Sequence, residues 1–275
     1  MFKAQMRLMI KSNQFLFALT AMIAFVTLGF ILNCVSFFGS DIVAVPMANL
    51  LTVFNKSSLD MSFSIFSLTF PLFAAVGFSD SFFTERKSHI TDICLLRRSV
   101  NSYYFSKLLT VFVSGLLIML IPLLINFIVC IITFPAFSTS VGSSASALNL
   151  SAYKNEEASV IFQSLFVKHP YLRSLLSLTL VSFTGGLAAA VTYQFSFFYS
   201  RSRIILLISF FAVYNFLGLI LENFGYGKYS LSNNIFFGNR RSLASESTLA
   251  ALMLIMILTV IVTIPFAKRK MNELI

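Results

Sequence analysis

Few side chains in this sequence can do chemistry, and their spacing excludes most of it. His89 and His169 stand apart from each other and from the cysteines. Cys34, Cys94 and Cys130 are odd in number and lack Cys-x-x-Cys or Cys/His spacing, so neither a disulfide framework nor a metal site is expected. With both histidines isolated and no acidic pair inside an apolar stretch, a hydrolase or intramembrane protease reading lacks residues. A phosphate-cradling loop needs a glycine, four residues and then Gly-Lys-Ser/Thr. Gly227-Lys228 is followed by Tyr229 and preceded at the required distance by Glu222. Gly225-Tyr226-Gly227 has the letters of a potassium filter without the flanking pore helix such a filter needs. We therefore expect no catalytic residue, no bound metal and no cofactor in this chain.

What remains is one dense run of charge. Asp80, Glu85, Arg86 and Lys87 are followed by His89, Arg97 and Arg98, and then by Tyr103, Tyr104 and Lys107. A charge at the bilayer centre costs roughly 2.5–3.5 kcal/mol on insertion scales, so this run marks a place where the chain leaves the membrane and returns. Ile90 and Ile93 share one helical face with Cys94, while Arg86, Lys87, His89 and Arg97 supply polar handles. Two readings fit this spacing: a short helix that docks on another protein, and a solvated loop. Polar residues inside the apolar stretches are few: Asn126, Tyr193, Gln194, Tyr214 and Asn215. Each can line a translocation path or hydrogen-bond between helices.

The elements that must position these residues are membrane spans. The chain is 57% hydrophobic and 11% charged, with a mean hydropathy of +0.87, too apolar for a water-soluble surface. Six stretches are long enough to cross with some tilt: residues 15–34, 61–83, 108–134, 175–199, 204–221 and 249–267. The expected fold is all-α and integral to the membrane, one transmembrane domain over residues 1–275 with a cytoplasmic segment at 84–107. Residues 1–12 are expected to form an interfacial helix, because Phe2, Met6, Met9 and Ile10 oppose Lys3, Arg7 and Lys11. The run at 15–34 lacks a small-residue cleavage site and reads as a retained helix. Pro71, Pro122 and the Gly185-Gly186 pair can kink a span or let helices approach closely.

An even number of spans puts both termini on one side. With that side cytoplasmic it holds 13 of the 20 lysines and arginines, as the positive-inside rule requires. These cations fall in short clusters at span ends, which argues for membrane anchoring and against a nucleic-acid partner.

The order Phe-Ser-Asp-Ser-Phe-Phe-Thr-Glu-Arg-Lys over 78–87, then Leu-Leu-Arg-Arg-Ser-Val, then Tyr-Tyr-Phe-Ser-Lys-Leu-Leu, resembles the span-two to span-three segment of the six-helix, or type-2, ABC exporter permeases. The resemblance rests on residues 78–109 and on the overall layout. It implies that Glu85 and Arg86 stand at the junction with a coupling helix and that residues 87–96, with Lys87, His89, Ile90 and Ile93, touch a cytoplasmic ABC ATPase subunit. Arg97, Arg98 and Lys107 would lie at the interface. It also implies ATP and Mg on that partner, a second permease copy or paralogue, and a bacterial plasma membrane. The apolar spans suit a lipid-like or amphipathic cargo (peptide, antibiotic or lipid) moved outward. A non-transporting scaffold or immunity protein and a secondary carrier remain as other readings. The carrier would need ionisable groups inside the bundle, and the sequence places none deep in a span.

Overall fold

The computed structural model describes residues 1–39, 57–88, 99–133, 162, 170–199, 202–236 and 245–272. The described residues are helical throughout their regular structure: α1 (Phe2–Lys11), α2 (Asn13–Phe37), α3 (Ser57–Val76), α4 (Ser81–Lys87), α5 (Val100–Thr133), α6 (Pro170–Phe195), α7 (Arg203–Asn223), α8 (Leu231–Ile235) and α9 (Glu246–Asn272), with a 3-10 turn at Gly227–Tyr229. Six of the segments are long and apolar enough to cross a membrane, and they correspond to the six expected spans. Because lipid offers backbone groups no partner, helices are the natural way to carry these apolar runs across. Hydroxyls inside the spans bond back to their own helix, as Thr27 does to the Ile23 carbonyl at 2.7 Å and Thr192 to that of Ala188 at 2.9 Å.

Ser12 separates α1 from α2. Its extended backbone ends α1, and its hydroxyl caps α2 by accepting from the Phe15 amide at 3.2 Å. The expected apolar face of α1 is divided: Met9 and Gln5 are buried against the bundle, while Phe2, Leu8 and Ile10 stay exposed.

The tightest packing joins α5 to α6, and glycine is the reason. A Cβ on Gly115 would lie 2.7 Å from both the Ala189 Cβ and the Gly185 carbonyl oxygen, and one on Gly186 would lie 2.9 Å from the Phe112 carbonyl oxygen. The Gly185-Gly186 pair thus serves close approach of two helices. The buried core between them continues through Val111, Ile118, Met119, Val181 and Ala189.

One boundary differs from the sequence expectation. α5 begins at Val100, eight residues before the apolar run at 108, so Tyr103, Tyr104 and Lys107 occupy its first turns. All three are fully buried. The reason is that each polar group finds a partner on another helix, which composition cannot show.

Candidate functional site

At one end of the bundle, here called the near end, the last turn of α3, all of α4, the first turns of α5 and α7 and the last turns of α6 and α9 converge. α4 closes the second candidate span, Ile65–Lys87, after a turn at 77–80. Asp80 precedes it, Ser81 and Phe82 are buried, and Arg86 and Lys87 close it with positive charge at the helix C-terminus.

Two ion pairs fix this short helix to two different spans. Glu85 on α4 pairs with the Lys107 ammonium of α5. The Tyr103 hydroxyl donates to Glu85 Oε2 at 2.5 Å, and Lys107 Nζ donates to that same hydroxyl at 3.1 Å. The three groups form a closed triangle, with the Lys107 side chain wholly buried and that of Glu85 15% exposed. Tyr103 and Lys107 can share one carboxylate because four residues separate them on one helical face. Lys107, expected as an interfacial cation, is instead an internal counter-charge.

The second pair joins the fully buried Asp80 to Arg203 at the start of α7, whose side chain is 43% exposed. Oδ2 of Asp80 meets Arg203 Nε, yet neither carboxylate oxygen makes a hydrogen bond of ordinary geometry. With the Arg203 side chain part-exposed, this pair is the more screened of the two. Ionisable groups do lie inside the bundle, at its near end.

Behind the ion pairs lies an aromatic and amide layer. Tyr193 is wedged among Phe82, Tyr104 and Phe197, with ring centroids 6.5, 6.1 and 5.3 Å away. Its hydroxyl is buried without a hydrogen-bond partner among the described residues. Gln194 ties three spans together: its amide donates to the Tyr104 hydroxyl at 3.1 Å and to the Val260 carbonyl at 2.8 Å, and its oxygen accepts from Thr263. Lys268 Nζ sits 4.2 Å from the Phe105 ring centroid, which brings the end of α9 against the start of α5.

Comparison with known proteins returns no relative: no family model, no curated protein and no solved structure matches the chain. The reading of this site rests on its own geometry.

The expected coupling residues divide accordingly. Glu85 is in the triangle, Arg86 is half-buried beside it and Lys87 is exposed. His89, Ile90, Ile93, Arg97 and Arg98 lie outside the described residues. The five polar residues within spans fall in three places. Tyr193 and Gln194 belong to the near-end layer. Tyr214 packs edge-on against Phe70 at 5.6 Å, and Asn215 donates to the carbonyls of Leu68 at 3.3 Å and Phe211 at 2.9 Å, joining α7 to α3. Asn126 lines a separate cleft between α2 and α5. Among the described residues no group of three histidines, cysteines or carboxylates is placed to hold a metal ion.

Sequence reasoning missed Asp80–Arg203 and the Tyr103–Glu85 bond. One signal was present: a tyrosine and a lysine four residues apart, opening an apolar helix, ask for an anionic partner.

Proposed function

We propose that this chain is the membrane-spanning permease subunit of an ABC exporter, and that its near end is the cytoplasmic face on which a separate ATPase subunit docks. The observation that carries the reading is the double attachment of α4. The seven-residue helix that closes the second candidate span, Ile65–Lys87, is pinned to α5 through Glu85, Tyr103 and Lys107 and borders the Asp80–Arg203 link to α7. A displacement of α4 is thereby passed to two spans at once, which is what an ATP-driven coupling element has to do. ATP and Mg belong to the partner subunit, and hydrolysis there would shift the permease between inward and outward states.

On this reading both termini are cytoplasmic, and α1 lies along the inner surface with Lys3, Arg7 and Lys11 toward anionic headgroups. The setting is a bacterial plasma membrane. A second copy or a paralogue completes the path, and the cargo is lipid-like or amphipathic and moves outward. The near-end ionisable groups favour one rival specifically, a secondary carrier driven by an ion gradient; a non-transporting scaffold would leave the two-span attachment without a use.

The test is a detergent pull-down from native membranes. Arg86→Ala with Lys87→Ala removes charge from the docking face while leaving the triangle intact. We expect wild type to retain an ATP-hydrolysing subunit and this variant to lose most of it without loss of folded protein. A chain that retains no ATPase in either form, or transports in energised vesicles without ATP, overturns the reading.

A further inference from the structure

The segment that leaves the far end of α7 carries an inference that needs only the crossing of the membrane by that helix and not the ATPase reading. α7 is bracketed by charge, with Arg203 as its first residue and Glu222 beside its last. Residues 204–221 carry no charge and rise about 27 Å, close to the hydrocarbon thickness of about 30 Å. Phe224 and the residues after it therefore start where acyl chains give way to headgroups.

The chain does not run straight on from there. Gly225, left-handed at φ 77°, reverses it: its amide donates to the Glu222 carbonyl at 3.1 Å, and the Tyr226 amide donates to that of Leu221 at 2.7 Å. Beyond the reversal the segment faces two ways. Ser230, Asn234 and Ile235 are fully buried. Asn234 ties the segment to the bundle, donating to the Lys228 carbonyl at 2.8 Å and accepting from the Thr248 hydroxyl of α9 at 2.9 Å. Phe224, Tyr226 and Tyr229 stay outside, 74%, 57% and 45% exposed.

Three large rings held outside at this height need a medium that accepts them. Bulk water does so poorly, because it gains nothing from their apolar area. The hydrocarbon core fails as well: the Lys228 ammonium lies 4.9 Å from the Tyr229 ring centroid, and it would lose its hydration there together with the two phenol hydroxyls. The zone of headgroups and esters takes both the apolar body and the polar tip of such side chains. The surface of α7 just below is apolar and exposed at Phe216, Leu217 and Leu219, so lipid that covers the helix reaches the rings next.

We propose that Phe224, Tyr226 and Tyr229 form a lipid-binding surface seated in the headgroup and ester zone of the leaflet at the far end. The chain contains no tryptophan, so Tyr226→Trp or Tyr229→Trp places a sole indole reporter at an exposed position where the larger ring needs no repacking. The full chain is reconstituted in phosphatidylcholine vesicles brominated either high or low on the acyl chain, with iodide added to both aqueous faces. Phe216→Trp is the reference, seven residues before the end of α7 and so about 10 Å deeper. Positions 226 and 229 should be quenched about twofold more by high than by low bromines, with weak iodide quenching, and position 216 should show the reverse order. Strong iodide quenching at 226 and 229 without bromine quenching would overturn the proposal in favour of a segment standing in water. Emission that neither quencher reaches would overturn it in favour of a covering protein such as a second copy, and a low-bromine preference equal to that at 216 would overturn the assigned level.

Discussion

The Glu85–Tyr103–Lys107 triangle with its Gln194 neighbour and the α2–α5 cleft both place polar side chains inside an apolar bundle, and they do it in opposite ways. At the near end Glu85, Tyr103 and Lys107 are mutually satisfied and Gln194 uses both ends of its amide. In the cleft the buried Asn126 Nδ2 has no hydrogen-bond partner among the described residues. A closed network holds helices in one arrangement, since any movement strips partners from buried charge. An open donor leaves the helices free of such a tie. The contrast separates a network that locks helices together from a polar group that ties none.

Breaking the near end should have the largest effect. Lys107→Met leaves the Glu85 carboxylate without its buried counter-charge and should cost roughly 3–5 kcal/mol of stability. The readout is the thermal unfolding midpoint in detergent. Adding Glu85→Leu to that variant should recover much of the loss, because an apolar pair tolerates burial that a lone charge does not. If the double variant is no more stable than the single one, the triangle is not a closed unit.

Arg203→Ala comes next. It orphans the Asp80 carboxylate, but the Arg203 side chain is 43% exposed and its contact lacks ordinary hydrogen-bond geometry, so the loss should be clearly smaller than for Lys107→Met. Equal losses would show that the two attachments of α4 are of equal rank. Gln194→Leu removes three interhelical contacts, each worth about 0.6 kcal/mol on average in a membrane protein, for a total of about 2 kcal/mol. Asn126→Leu should change stability least, because among the described residues it removes no bond between helices. A large destabilisation there would place Asn126 with the near-end network and dissolve the contrast.

The spans were legible because twenty apolar residues in a row have one stable home. Their approximate ends and the glycine contact between α5 and α6 followed from the same physics. The pairing of charges was not legible. Lys107 and Arg203 look alike in sequence, each a cation at the edge of an apolar run, yet one is buried in a triangle and the other half-exposed on a single carboxylate. Glu85 meets Tyr103 across 18 residues, and Gln194 meets Tyr104 across 90. Such partners are chosen by helix packing, which sets rotation and height in ways that composition does not record. For the same reason Tyr193, Gln194, Tyr214, Asn215 and Asn126 could be named as polar residues in spans but not sorted into those that join helices and the one that lines a cleft.

The most direct test of the ATPase-docking reading is photo-crosslinking from two exposed positions at opposite ends of the bundle. A photoreactive residue replaces Lys87 at the end of α4 in one variant and Tyr226, 57% exposed beyond α7, in the other. Both are activated in native membranes. The expected result is an adduct with an ATP-binding subunit from position 87 and none from position 226. No such adduct from position 87, or the same adduct from both, would contradict the assignment of the near end as the face that receives the ATPase.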